Sequence, residues 1–264
     1  MRKLLAIILL LQIFAIADLK AQSYFQDDLK AFADDYRYLF KSAGQLNGYD
    51  LLYPVALIGL SGLSTLLDND LRSSIGKSTN PNVANFASVT NNFGEAVTVI
   101  ALPGLVYAVG YCRESEKLRD AGRTAYEAIL LTGITATAMK IIVGRARPYN
   151  ELDNFHFRPL NFSDDFQSFP SMHTAMAFTL ATVFANKVDS DYAYPIFYAL
   201  AASVGFARIH LDKHWFSDVV AGAIIGTLSA RAILSAEESR IKVTAGGHIE
   251  GKQFVPLMQI AVNF

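Results

Sequence analysis

Six apolar stretches, near residues 51–67, 97–111, 125–143, 174–186, 192–206 and 218–235, constrain this chain most. Each is long enough for a helix, and none alternates with the period of two that a half-buried strand requires. Glycine, proline and asparagine punctuate the gaps, notably in "GKSTNPN" at 76–82. The expectation is a single all-α domain, a helical bundle, over residues 50–236. A chain of 264 residues is ample for its core.

The flanks read differently. "MRK" followed by "LLAIILLLQIFAIA" has the basic and apolar regions of a secretory signal, with a small residue for cleavage at Ala21 and another at Ala17. Residues 1–21 are therefore expected to direct export across an inner membrane, to the periplasm or cell envelope. Residues 22–49 carry Phe25, Leu29, Phe32, Tyr36 and Leu39/Phe40 at helical spacing, which predicts an amphipathic helix. Beyond Gly246-Gly247 the chain turns β-prone, so residues 237–264 are expected to form a short extended or β-like tail with His248 at its surface. The terminal Phe264 is like the end of an outer-membrane strand, but one or two strands close no barrel.

Whether the apolar stretches cross a bilayer is a matter of length and topology. Most run 15–19 residues, at or below what a bilayer requires. The basic loop "CRESEKLRDAGR" at 112–123 would face the cytoplasm if its neighbours spanned. Counting back, the exported N-terminus would then lie on the wrong side. A helical protein beyond the inner membrane, soluble or lying on it, removes the conflict; an integral protein is the alternative.

Composition narrows the chemistry. The net charge of −1 gives no general attraction to nucleic acid, so an anion site must be built locally. The single cysteine, Cys112, excludes a disulfide framework and a multi-cysteine metal site, and is expected to be a small packed hydrophobe.

Three clusters could act chemically. In "KIIVGRARP" (140–148), Lys140 and Arg147 are seven apart and would share a helical face, with Gly144 leaving room between them and Pro148 ending the helix. Two converging cations suit an anion, although a surface pair at a helix end reads the same way. Arg145 falls off that face and is expected to be solvated. A second Arg-Pro, Arg158-Pro159, has Glu151 where a lysine would be needed and is set aside. In "FPSMHT" (169–174), Pro170 and Ser171 suit a helix start, whose free N–H groups and serine hydroxyl could hold an anion beside His173. In "ARIHLDKHWFSDVVAG" (207–222), His214 and Asp218 are four apart. A carboxylate at that spacing can hold one ring nitrogen and leave the other free, while an ordinary surface pair is the alternative. Arg208 adds a guanidinium fork, His210 is expected to support, Trp215 to pack, and Gly222 and Gly226 to let helices approach closely.

The order of these clusters resembles the type 2 phosphatidic acid phosphatase (PAP2) family, which shares its pattern with class A acid phosphatases and vanadium haloperoxidases. That pattern is K-x6-R-P, P-S-G-H and S-R-x5-H-x3-D. Here it reads Lys140-x6-Arg147-Pro148, Pro170-Ser171-Met172-His173 and Ala207-Arg208-x5-His214-x3-Asp218. The resemblance implies a PAP2-like helical bundle. It makes His214 the nucleophile that forms a phosphohistidine, Asp218 its orienting partner and His173 the general acid. Lys140, Arg147, Arg208, Ser171 and the backbone of Met172 would bind the phosphoryl oxygens. It implies no metal and no cofactor, since side chains supply the positive charge. The expected substrate is a phosphomonoester or diphosphate ester, with a lipid phosphate favoured by export and apolar surface.

Two departures stand out. Met172 replaces a glycine, and its contact survives only if the local backbone is not restricted to glycine. Ala207 replaces a serine and loses one hydroxyl. These motivate a competing expectation, a decayed pocket that binds anionic lipid without turnover. Vanadate-dependent halide oxidation is another, and a transporter or structural membrane protein would leave the ordered motifs as coincidence.

Overall fold

A computed structural model describes residues 2–44, 52–76 and 78–246 of the chain, with side chains for 23–44, 55–76 and 78–241. Among the described residues the fold is helical and without named strands. The helices are α1 (Arg2–Ala43), α2 (Leu52–Ser64), the single turn α3 (Asp68–Leu71), α4 (Pro81–Asn91), α5 (Ala96–Cys112), α6 (Glu116–Val143), α7 (Met172–Lys187), α8 (Ala193–His210) and α9 (Phe216–Gly246). Each expected apolar stretch lies within or largely overlaps one of them. The tail beyond Gly246, His248 included, lies outside the described residues. The boundary expected at 21/22 falls inside α1, and that at 236/237 inside α9.

Helix ends follow local chemistry. Asn80 caps α4, its side chain accepting from Asn82 N–H at 2.9 Å with Pro81 at the first helical position. Ser115 caps α6 by accepting from Leu118 N–H. α6 stops at Gly144, which adopts φ +58. A side chain there would also strike the returning chain, since an added Cβ would lie 1.8 Å from Arg158 O.

α7 is the central helix, packed against α6, α8 and α9. Gly222 and Gly226 make the α7–α9 approach possible, as expected. An added Cβ would meet Ser171 O at 2.5 Å and Ala175 O at 2.1 Å respectively. Val99, Ala125, Ala128, Leu180, Val183, Phe184, Ala230 and Ile233 form the main apolar cluster between α5, α6, α7 and α9. Beside it the interior is small and polar. Thr132, Thr174, Thr179 and Thr182 are buried, and the Thr132 and Thr179 hydroxyls share a 2.8 Å hydrogen bond.

The larger apolar side chains often face outward. Val55, Ile58 and Leu63 on α2, Val97, Ile100 and Leu105 on α5, and Leu130, Ile134 and Ile142 on α6 are exposed. Faces of this extent mark contact with something other than water. The helices also outrun the stretches used to judge spanning. α6 has 28 residues and α9 has 31. By length and composition Glu116–Val143 and Phe216–Ile241 can cross a membrane, and Pro81–Gly94 with Ala96–Cys112, bent by 56°, would together make a third. The fold supports membrane association.

α1 carries a reversed amphipathicity. Phe25, Leu29 and Phe40 face outward, whereas Ala31 and Asp35 are buried. Only Tyr36 and Leu39 of the expected apolar set pack on the main cluster. The inward face is bound by charge. Asp35 pairs with Arg123 of α6 at 3.2 Å and with Arg240 of α9 at 3.0 Å, and Asp28 lies 3.4 Å from Arg119. Arg123 also holds Glu127, and Lys187 holds Glu237 at 2.7 Å. These carboxylates sit where spacing alone suggested a solvated face. Cys112 also departs from expectation: it is exposed at the end of α5.

Candidate active site

The three motifs meet at one end of the bundle, where α6 ends, α7 begins and the α8–α9 turn crosses. Lys140 is not paired with Arg147 by a shared helical face. α6 terminates at Gly144, so Arg147 lies on the following loop, which brings it back beside Lys140. Gly144 therefore serves the turn and the Arg158 contact rather than leaving space for a ligand, and Pro148 comes after the helix has already ended. Lys140 Nζ donates to Gln167 O at 2.5 Å. Arg147 donates to Asp164 O at 2.8 Å and to Asp164 Oδ1 at 2.6 Å. Arg208, near the end of α8, donates to Asn91 Oδ1 at 2.7 Å. All three cations are buried, and they are near enough to act on one another's charge.

Ser171 occupies the N-cap of α7 and is fully buried. Its N–H donates to Asp218 O at 2.9 Å, and its hydroxyl accepts from Thr174 Oγ1 at 2.9 Å, which leaves its own proton to give. The first backbone bond of α7 runs from Ala175 N–H to Ser171 O. The N–H groups of Met172, His173 and Thr174 precede it, as at any helix start, and favour an anion. Met172 is absent from the positive-φ residues, so its backbone asks for no glycine.

His214 is fully buried in the turn before α9. Its Nδ1 lies 3.7 Å from Asp218 Oδ2, within ion-pair range but beyond a hydrogen bond. Asp218 Oδ2 instead accepts from Ser168 Oγ at 2.5 Å and from Trp215 N–H at 2.9 Å. Burial holds the His214 imidazole well below its usual pKa, against the upward pull of Asp218. His173 stands in the first turn of α7 with Nε2 3.3 Å from Glu95 Oε1, close but not aligned as a hydrogen bond. Burial first, and Arg208 next, press its pKa down to about 4.

Arg145 corrects the sequence reading. It is among the most buried side chains rather than solvated. It donates to Asp68 Oδ2, Asp218 Oδ1 and Ser217 Oγ, each at 2.7 Å, and to Asn154 O at 2.9 and 2.6 Å. Its chain lies opposite Phe157 in an isolated bridge after the Gly144 turn. The glycine just past the last apolar repeat was the signal that would have placed it off the helix. Asp68, Asn91, Glu95, Asp164 and Ser168 carried no such signal. Arg158 stays out of the site, over the Phe166 ring. His210 supports, its Nδ1 3.0 Å from Ile75 O, and Trp215 packs with Nε1–H donating to Ala146 O at 2.9 Å.

Chemically, this is a cationic site with one fully buried histidine, His214, and one half-buried, His173. Three of its nitrogens, Arg208 Nε, His173 Nε2 and His214 Nδ1, are buried without a hydrogen-bond partner. His173 Nε2 and His214 Nδ1 face the carboxylates of Glu95 and Asp218; buried polar atoms are normally satisfied, so Arg208 Nε is the one that points to a ligand that accepts hydrogen bonds. Among the described residues no group of three or more His, Cys, Asp or Glu side chains could hold a metal ion.

Comparison with known proteins agrees with the motifs. Residues 123–242 match the family described as the PAP2 superfamily. The chain is 28% identical over 160 residues to a lipid A 1-phosphatase of Rhizobium johnstonii, covering 54% of this chain and 64% of that protein. It is 30% identical over 164 residues to lipid phosphate phosphatase 1 of Arabidopsis thaliana, covering 51% of this chain and 50% of that protein. The chain thus spans less than two thirds of either relative. The crystal structure of Aquifex aeolicus LpxE superposes with TM-score 0.52 at 25% identity, covering 64% of this chain and 95% of that one. The PAP2 resemblance is shown over the segment that holds all three motifs.

Proposed function

We propose that this protein is a membrane-associated phosphatase that hydrolyses lipid phosphates through a phosphohistidine intermediate. The observation that carries it is the site itself: the buried cations Lys140, Arg147 and Arg208 gather beside the fully buried His214 and the half-buried His173, and Arg208 Nε has no hydrogen-bond partner. The relatives named as lipid A 1-phosphatase and lipid phosphate phosphatase support a lipid phosphate as substrate.

The steps follow from the residues. The phosphoryl oxygens take the place of Asp164 at Arg147 and bind Lys140, Arg208, the Ser171 hydroxyl and the N–H groups at the start of α7. These donors stabilise charge that grows in the transition state. The Nε2 of His214 attacks phosphorus, and Asp218 stabilises the proton on Nδ1. The P–O bond to the lipid breaks as His173 gives its proton to the leaving oxygen. Water then attacks phosphorus, His173 takes its proton, the P–N bond breaks and inorganic phosphate departs. Lysine and arginine are not metal ligands at neutral pH, and in this scheme they supply the positive charge. We place the pocket on the exported side, as the N-terminal signal-like segment suggests.

Met172 does not argue for a decayed pocket, because its ordinary backbone keeps the N–H contact available. Ala207 is fully buried. The test is phosphate release by the purified chain, with EDTA present, from p-nitrophenyl phosphate, lipid A 1-phosphate and phosphatidic acid. Release that vanadate blocks and that His214→Ala lowers by at least about 10³-fold supports the mechanism. A folded protein that binds vanadate but releases nothing would leave a binding module. Failure to bind vanadate would remove the pocket altogether.

A further inference from the structure

The segment Asn91-Asn92-Phe93-Gly94-Glu95 belongs to none of the three motifs, yet it forms a wall of the pocket at the bend between α4 and α5. Gly94 is packed so closely that an added Cβ would lie 2.9 Å from His173 Cβ and 2.8 Å from Val204 Cγ1. The bend is thereby held against α7 and α8. On one side, Asn91 accepts from Arg208 at 2.7 Å and donates through its amide to Glu95 Oε1 at 2.8 Å. Glu95 Oε1 in turn lies 3.3 Å from His173 Nε2. One carboxylate is therefore tied through one amide to a phosphate-binding arginine and faces the proton donor. Its side chain is 47% exposed, so it stands at the mouth of the pocket and not in its floor. The other charges acting on His173 are Arg208 and Lys140, while Asp164 acts on Arg208 and pairs with Arg147.

We infer that Glu95, fixed by Asn91, is a positioning residue that aims His173 at the leaving oxygen and makes the leaving-group side anionic, so that the site selects monoesters of neutral alcohols over diphosphate esters. This rests on the phosphatase reading above. In a monoester the P–O bond breaks, His173 supplies a proton, and a neutral alcohol departs. In a diphosphate the bond to the terminal phosphorus breaks, and the group that departs is a phosphate monoester. That group is negatively charged, needs little help from an acid, and must form beside Glu95. A carboxylate beside the general acid therefore aids the first reaction and repels the product of the second.

The test compares farnesyl phosphate with farnesyl diphosphate, which share one lipid chain, using the full chain in detergent at low salt. The wild-type protein is expected to prefer the monophosphate in kcat/KM. Glu95→Gln is expected to lower kcat on the monophosphate with little change in KM. It should narrow the preference by about tenfold, equivalent to about 1.4 kcal/mol, and less at high salt. Glu95→Asp should recover part of both effects, which a merely structural role would not do. Vanadate binding reports that each variant keeps its pocket; should Glu95→Gln lose it, the Glu95→Asp ratio against wild type decides. A wild-type preference for the diphosphate, or a ratio unchanged within twofold in the variants, would overturn the assignment while leaving the phosphatase reading intact. No release from either substrate by the wild-type protein would remove both.

Discussion

Replacing Arg145 with methionine tests the architecture beneath the pocket. The guanidinium joins Asp68 and Asp218, both fully buried, and makes five hydrogen bonds to four groups. Methionine roughly keeps the length and removes the charge. Asp68 would retain Ser217 N–H and Oγ, each at 2.8 Å, and Asp218 would retain Ser168 and Trp215. Neither would keep its arginine, and two carboxylates would share a buried site without a cation. Breaking one buried pair from one side costs about 3–5 kcal/mol; with two carboxylates stranded, the upper end, about 5 kcal/mol, is expected. That is comparable with the whole stability of many domains. Trp215 is the sole tryptophan and its ring centroid lies 5.6 Å from the Arg145 guanidinium carbon, so its fluorescence reports on this spot during denaturation in mixed micelles. Adding Asp68→Asn should recover about 2 kcal/mol by removing one of the two charges. Arg158→Met, at an exposed arginine, should cost under about 1 kcal/mol. An Arg145→Met protein within about 1 kcal/mol of wild type, with more than half its activity, would refute this account.

Two further outcomes follow from the same geometry. Since burial and Arg208 press the His173 pKa down to about 4, the ring is almost wholly neutral at pH 7, and phosphate must draw in its proton. Activity as kcat/KM should therefore rise as pH falls from 7 toward 5; a value that climbs through pH 8 would remove His173 as the acid. Gly226→Ala would place a Cβ 2.1 Å from Ala175 O and force α7 from α9. A loss of at least about 2 kcal/mol is expected in the same denaturation assay, against a gain of up to about 1 kcal/mol if only helix propensity acted.

The helices and the three motifs were legible because each rests on local pattern: apolar repeats, helix starts, and residues at fixed spacing. What was missed depended on how the chain turns. Carrying the α6 repeat past Gly144 put Arg147 on a helix it does not occupy and put Arg145 in water. The partners Asp68, Asn91 and Glu95 come from helices far away in sequence, and nothing in their neighbours announces a role. The reversed face of α1 escaped for a different reason. Hydrophobic spacing shows which residues share a face, but not whether that face meets protein or lipid.

The charged contacts of α1 bear on how the chain is assembled. Asp28 and Asp35 are synthesised early, yet their partners Arg119, Arg123 and Arg240 emerge far later, the last near the end of α9. Until then these acids have no counter-charge, and α1 cannot settle into its final seat. Seating of α1 is thereby coupled to synthesis of the last described helix: a chain stopped before α9 leaves Asp35 with Arg123 but without Arg240.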